Sequence, residues 1–241
     1  TDDVINPLNA IKSNKVLIFT GRLISEKTPQ NYYNNVFLFD DLLPDGTTAD
    51  NLAQNSNDQM KFFGFETHFF DKKEKGNLLE FKAGYENRSD YFNSKLEFLE
   101  NNTTIAAPAD YSNQIKFGTQ DLYFKSKYNY FFRKFVIEAK LELHQLFSDL
   151  KTSEIAENNS NLFVIPSFIL SWQINQNNKI STSFSHSTTN AKILDVYNGY
   201  VLTSYKSFQK GTGQFNQLQS QVLFIRYGLG NWESKFSSNA S

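Results

Sequence analysis

The residues that could carry chemistry are few and scattered. His68, His144 and His186 are the only histidines, and there is no cysteine. The histidines lie too far apart in sequence to form the paired ligands of an HxxxH metal helix. The lack of cysteine removes thiolate nucleophiles, disulfides and thiolate-bound metals. His144 continues the polar side of a strand-like run and reads as a solvated histidine. His186 closes such a run before a long polar stretch, where a surface role is the simpler reading and a ligand contact the alternative. No GxSxG nucleophile turn is present, so a Ser-His-Asp triad cannot be argued. Asp40-Asp41, followed by Asp45-Gly46, looks superficially like a calcium loop, but the EF-hand spacing is absent and a turn is expected. Gly211-Thr212-Gly213 lacks the Lys-Ser/Thr pair of a phosphate loop and reads as a flexible loop. The expectation is a protein that is not an enzyme, with no catalytic residue, no cofactor and no metal.

Composition narrows the classes further. The 241 residues include 24 Lys+Arg and 25 Asp+Glu, a balance that argues against a nucleic-acid partner. No stretch approaches 18 consecutive apolar residues, so no transmembrane helix is expected. Phenylalanine is in excess, with 24 copies beside 12 tyrosines and 2 tryptophans. Mean hydropathy is nevertheless −0.49. A chain that is polar on average and this rich in rings must sort the two classes by position.

The sorting has a period of two. Leu79, Phe81, Ala83 and Tyr85 alternate with Glu80, Lys82, Gly84 and Glu86. Phe135, Ile137, Ala139, Leu141 and Leu143 alternate with Val136, Glu138, Lys140 and Glu142. Leu122, Phe124 and Tyr128 oppose Lys125, Lys127 and Asn129. Phe168, Leu170, Trp172 and Ile174 oppose Ser167, Ile169, Ser171 and Gln173, and Ile180 and Phe184 oppose a run of serines. No window sustains a 3.6 period, so the chain reads as all-β, each strand having one apolar and one polar face. The runs are long: two strands between residues 113 and 148 would each have roughly 15 residues, or about 50 Å. Strands in soluble domains average about 5–6 residues.

Connections alternate in length. Tight turns are expected at 87–90, 130–132, 175–178 and 228–231. Longer polar connections are expected at 100–112, 149–160 and 187–214, with a shorter Lys-rich one at 71–77. In an up-and-down antiparallel sheet, such alternation puts short turns at one end and long loops at the other, the layout of an outer-membrane barrel. Trp172, Trp232, Tyr128, Tyr130, Phe131, Phe132 and Phe92 all fall beside expected short turns, as an interfacial aromatic girdle would. The charged residues Glu80, Lys82, Glu86, Lys95, Glu97, Lys125, Lys127, Glu138, Lys140 and Glu142 are expected on one face, where mixed signs suggest cross-strand pairs.

Several segments carry a resemblance. Phe163-Val164-Ile165-Pro166-Ser167-Phe168 opens a long strand. Ile180-Ser181-Thr182-Ser183-Phe184-Ser185-His186-Ser187 follows, and then Val196-Tyr197-Asn198-Gly199-Tyr200-Val201-Leu202-Thr203-Ser204-Tyr205. Arg226-Tyr227-Gly228-Leu229-Gly230-Asn231-Trp232 adds a later short turn. Pro29-Gln30-Asn31-Tyr32-Tyr33 and Phe37-Leu38-Phe39 add an early stretch. This pattern resembles the barrel region of TonB-dependent outer-membrane receptors of the Bacteroidetes type. The resemblance implies a partial transmembrane barrel of about ten to twelve strands, spanning 1–241, with neither plug nor TonB box in this sequence. It also implies a bacterial outer-membrane location and energised uptake of a bulky nutrient: a siderophore, a glycan or a peptide. The implied partners are outer-membrane lipid, the remaining barrel and plug, the TonB–ExbB–ExbD machinery and a surface lipoprotein. In a bacterial protein the sequons at Asn87, Asn102 and Asn158 carry no glycosylation meaning. Tyr197, Tyr200 and Tyr205 are the expected ligand contacts, as rings that could stack on a sugar or chelate. Both ends of the sequence read as those of a piece of something longer.

Two other readings share the alternation. A soluble carbohydrate-binding β-sandwich would bury Phe135, Ile137, Leu141, Phe168 and Trp172 between two sheets. A complete small porin or adhesin would turn them outward, as the receptor barrel does.

Overall fold

The computed structural model describes residues 3–5, 8–12, 14–35, 39–43, 47–73, 76–101, 103–153, 155–190, 196, 199–204, 206–212, 217–230 and 238–240. Fourteen strands occur among them: β1 (Asp3–Ile5), β2 (Leu8–Lys12), β3 (Lys15–Asn34), β4 (Asn51–Lys72), β5 (Leu78–Glu100), β6 (Thr103–Ala106), β7 (Ser112–Phe132), β8 (Phe135–Lys151), β9 (Ala156–Gln173), β10 (Asn178–Asn190), β11 (Tyr200–Ser204), β12 (Ser207–Lys210), β13 (Gln217–Leu229) and β14 (Ser238–Ala240). Twelve form one sheet in the order β1-β3-β4-β5-β7-β8-β9-β10-β13-β14, with β2 also on β3 and β6 also on β5. Every pair of neighbouring strands in this order is antiparallel. The expected all-β, up-and-down antiparallel architecture of about ten to twelve strands is what the chain adopts. Among the described residues no ladder joins β1 to β14, so the wall is an open arc.

The strands exceed the expected length. β5 has 23 residues, about 75 Å at 3.3 Å per residue. It runs through 87–90 without a turn, so that expected turn does not exist. Asn87, Arg88, Ser89 and Asp90 are mid-strand residues paired to both β4 and β7. The turn placed at 130–132 lies two residues later, at Arg133, whose φ of 50° is left-handed. The connection at 149–160 shrinks to 152–155, because β8 and β9 both extend into it. The Lys-rich connection near 73–77 belongs to the short-turn end, with 133–134 and 174–177. The long connections, 35–50, 101–111 and 191–216, share the opposite end. The length alternation therefore holds only in part: the turn at 73–77 takes the place of the one expected at 87–90, but 152–155, at the long-loop end, is as short as 174–177.

Prolines mark where pairing stops. Pro29, which has no N–H to donate, lies in the part of β3 that is paired only to β4. Pro166 sits just beyond Ser167, the last β9 residue paired to β10. Above it β9 pairs only with β8, and β10 continues to Asn190 paired only with β13.

Register assigns side chains to faces. One face carries Phe19, Leu23, Phe63, Phe65, Leu122, Phe124, Tyr128, Leu141, Leu162, Val164, Phe168, Trp172, Leu223 and Ile225, all exposed. Phe135 and Ile137, on the same face, are half-buried and belong to no buried cluster. The sandwich arrangement, with these side chains inside a two-sheet core, is therefore not the one formed. On β9 this belt spans 162–172, about 33 Å of strand, or about 25 Å of height at the usual tilt near 40°.

The opposite face is charged in the same zone. Lys125 faces Glu142 at 3.0 Å, Lys140 meets Glu138 at 2.7 Å, and Lys127 reaches Glu138 at 3.3 Å. Lys127 and Lys140 are direct cross-strand partners, and the Glu138 between them relieves the like-charge opposition. Tyr123 lies across Gly84, where a Cβ would come within 2.5 Å of the phenol ring and 2.8 Å of the Phe65 carbonyl oxygen. The phenol donates to Glu66 at 2.9 Å. Only glycine leaves room for this ring against the sheet.

Lys95 and Glu97 depart from the expected charged face. Because β5 is continuous, their odd numbers put them with Tyr85 and not with Glu86. They pair with each other at 2.6 Å above the belt. The charged face also loses its charge toward β13, where Ile169, Val222 and Phe224 are exposed among serines.

Candidate functional site

Above the belt the apolar phase changes face. Phe92, Leu96 and Phe98 on β5, Ile115 and Phe117 on β7, Leu146 and Leu150 on β8, and Leu52 on β4 are all buried. By register they share the face that is charged lower down. Two clusters result: Phe92, Ile115, Phe117 and Leu150 around Val196, and Leu52, Leu96 and Phe98 around Leu202. Val196 and Leu202 come from the long connection between β10 and β13. That connection thus folds over the inner face instead of projecting away from it.

Two buried amides fix it there. Gln54 of β4 donates to the Leu202 carbonyl at 3.0 Å and accepts from the Leu202 N–H at 2.7 Å. The side chain satisfies both backbone groups as a neighbouring strand would. Asn113 of β7 accepts from the Gly199 N–H at 2.9 Å, and donates to Ser94 Oγ at 3.0 Å and to the Tyr200 carbonyl at 3.3 Å. A Cβ at Gly199 would come within 2.7 Å of both Asn113 Oδ1 and the Asp110 carbonyl. In a low-dielectric setting such paired amides hold strongly, because an unmade bond there is expensive.

β11 and β12 form a small hairpin on this anchorage. Of the three tyrosines expected to touch ligand, Tyr197 and Tyr205 lie outside the described residues. Tyr200 is half-buried. Its ring stacks on Tyr111 at 5.0 Å, and the Lys210 ammonium sits 5.0 Å over it. Phe208 meets both rings edge-on and also contacts Phe39. Burial beside Asp110 holds the Tyr111 phenol above its ordinary value of 10.0.

The histidines do not converge. His68 bonds Glu80 at 2.6 Å and packs on Phe70. His144 is not the solvated side chain expected: Asp121 and Glu142 flank its two nitrogens at 2.7 and 3.3 Å. His186 is mid-strand, opposite Gln221, and β10 continues past it. Asp40 begins a 3-10 turn, Asp40–Leu42, as the turn reading required, while Asp45, Gly46, Gly213 and Trp232 lie outside the described residues. Phe92 belongs to the buried core and not to a girdle. The other rings do line the short-turn end, where Tyr128, Tyr130 and Phe132 stack in a row and Phe135 stacks on Trp172.

Just above the belt, Arg88 grips Asp90 through Nε and Nη2 at 2.7 and 2.9 Å. Burial first, then the Asp90 and Glu26 carboxylates, push Asp58 above the ordinary value of 3.8, against the pull of Arg88. Asp58 Oδ1 has no hydrogen-bond partner. A raised folded-state value means that this carboxyl's stabilising contribution is full below 3.8 and is lost as pH rises through the folded-state value. Asp58→Asn is therefore expected to raise the urea midpoint in detergent at pH 7 and to leave it unchanged well below pH 3.8. An equal midpoint at pH 7 would show that the neighbouring carboxylates do not burden this position.

The long-loop end holds a cleft of about 800 Å³ bounded by the rims of β5 and β7, the 152–155 turn and the β11–β12 hairpin. Among the described residues no group of three or more His, Cys, Asp or Glu is arranged to hold a metal ion.

No protein-family model matches the chain, and none of the curated proteins compared with it does. Among solved structures, the fold matches the ferric citrate transporter FecA in its unliganded form, with a TM-score of 0.56 and 11% identity. The match covers 92% of this chain and 31% of that one, so the chain spans about a third of the length of that transporter. The likeness is one of fold: an antiparallel up-and-down β-barrel wall.

Proposed function

We propose that the chain is the wall and loop-bearing part of an outer-membrane transport barrel of the TonB-dependent receptor kind, taking up a bulky nutrient. The observation that carries this is the belt. Rings and aliphatics stand exposed on one face of six long strands, β3, β4, β7, β8, β9 and β13, at the height of a bilayer's apolar core, while ion pairs occupy the other face of β7 and β8 at the same level. A water-soluble protein exposing so continuous an apolar band would associate through it. The resemblance of segments 161–232 to Bacteroidetes receptor barrels and the fold shared with an iron-chelate transporter support the transport reading. On this reading the belt contacts lipid, and the charged face looks into a lumen filled by a plug. A TonB–ExbB–ExbD complex supplies the energy, and a surface lipoprotein meets the long-loop end. No bond is broken; the chain contributes selectivity and confinement.

The test is the chain expressed with its native flanking sequence, followed through fractionation and refolding. Recovery in the outer-membrane fraction, with a gel mobility that shifts on boiling, is the expected result. A protein recovered in the aqueous fraction as a folded monomer without detergent would overturn the membrane reading.

A further inference from the structure

Resting on that reading, we propose that the short-turn rim is a collar for the phosphate headgroups of anionic phospholipid in the periplasmic leaflet. The near-balance of charge along the chain hides a segregation along the wall. The short connections at 73–77 and 133–134 carry Lys73, Lys75, Arg133 and Lys134 against Glu74. In the long connections at 35–50 and 101–111 the charged residues are all acids: Asp40, Asp41, Asp45, Asp50 and Asp110.

The described cations of the rim stand where the belt ends. Lys15 is in phase with Phe19 on β3, and its direct cross-strand partner is Asp71. Asp71 is buried, with Lys73 at 2.5 Å and Lys15 at 3.9 Å. One carboxylate thus gathers two ammonium groups, both about half exposed, and leaves a positive excess. Asn77 accepts from the Phe131 N–H at 2.8 Å, which ties this turn to the end of β7. There the Arg133 guanidinium lies 5.3 Å over the Phe132 ring. Lys134 donates to the Ile174 carbonyl at 2.7 Å, two residues from Trp172. Among the described residues, neither Arg133 nor Lys134 is paired with a carboxylate.

Cations at this level suit a lipid phosphate better than the carboxylates of a soluble partner. The rings of Tyr128, Tyr130, Phe132 and Trp172 line the same end of the belt, the depth at which amphipathic rings meet headgroups. A surrounding leaflet therefore brings its phosphates to the cations. An ammonium has three donors, of which Lys134 spends one on Ile174. A guanidinium takes two phosphate oxygens at once. Each basic residue held near an anionic leaflet strengthens association by about fivefold. The acidic long connections gain nothing from such a leaflet, so the same segregation favours the orientation that puts the short turns in it.

The test is contact quenching of Trp172 by phosphatidylglycerol or phosphatidylcholine brominated on the acyl chains, in vesicles holding the protein with its native flanking sequence. The Trp172 signal is the part of the fluorescence lost in Trp172→Phe. Brominated phosphatidylglycerol is expected to be preferred at least about threefold at low salt, and to lose that preference at about 0.5 M salt, where exposed charges are screened. Arg133→Asn with Lys134→Gln is expected to abolish the preference, and Lys134→Arg to keep it. Asparagine suits position 133 because the φ of 50° there is left-handed. The salt comparison uses the unaltered protein, so it decides the charge dependence even where the double variant does not fold. Equal quenching by the two lipids at low salt overturns the inference, as does a preference that survives high salt or persists in the folded double variant. In each of these cases lipid still reaches Trp172 and the membrane reading stands. Absence of quenching by either lipid overturns the membrane reading and the collar with it.

Discussion

Arginine at position 139 is expected to lower the stability of the chain folded in a bilayer by about 2–4 kcal/mol, the cost of that side chain at the midplane of a transmembrane barrel. Ala139 is the right host. It lies in the middle of the β8 part of the belt, paired with Tyr128 on one side and Phe168 on the other, and it is exposed. Its replacement opens no cavity and crowds no core. On a solvated surface the same change is expected to fall within about 0.5 kcal/mol of neutral. The measurement is the urea midpoint of unfolding from lipid vesicles, compared with Lys140→Arg on the opposite face. A large loss at 139 with little at 140 places lipid on the belt side. Equal, small effects at both positions would remove the membrane assignment.

Much of the architecture was legible in the sequence because the belt imposes a strict period of two on segments too long for a soluble sheet. The misplaced turn at 87–90 shows where that legibility ended. In β5 the apolar residues occupy odd positions from Leu79 to Tyr85 and even positions from Phe92 to Phe98. A reversal of phase in a short sheet means a turn or a bulge, and the polar run Asn87-Arg88-Ser89-Asp90 invited that conclusion. Here the strand is continuous and its surroundings change. Below, the solvent-like phase on the outer face is apolar; above, the outer face is polar and the inner face is dry because a loop covers it. The same reversal occurs in β7, from Leu122 and Phe124 to Ile115 and Phe117, and in β8, from Leu141 and Leu143 to Leu146 and Leu150. Three neighbouring strands that reverse phase at one level trace the upper boundary of the belt, information the sequence contained but that single-strand scoring does not extract.

The site was less legible, for a related reason. Its anchors are polar residues standing in apolar phase: Gln54 two residues after Leu52, Ser94 between Phe92 and Leu96, and Asn113 two residues before Ile115. A polar residue in such a position must find a buried partner, which flags it, but the partner lies far along the chain at Gly199, Tyr200 or Leu202. No local pattern could identify it. Tyrosines drew attention instead because rings are conspicuous, although Tyr200 spends its ring on Tyr111 and Lys210.

Removing one anchor is expected to free the hairpin while leaving the wall intact. In Gln54→Ala the Leu202 N–H and carbonyl both lose their partner in a buried setting, at about 1–3 kcal/mol for each group. That is a large part of what docks the hairpin, whose apolar contribution comes from Leu202 with Val201 and Phe208 packed beside it. The ladders β3 to β10 do not involve Gln54's side chain and should keep their protection. Hydrogen exchange should therefore show β11 and β12 amides losing protection by at least thirtyfold, while β5 and β7 amides near Tyr85 and Leu122 stay unchanged. Gln54→Glu separates the two halves of the clamp. Its carboxylate still accepts from the Leu202 N–H but cannot donate to the carbonyl, so protection should fall between wild type and Gln54→Ala near neutral pH and recover in acid, where the protonated carboxyl regains a donor. Undiminished protection of the hairpin in Gln54→Ala would mean that the apolar cluster alone holds it, and the amide would then be a satisfied bystander.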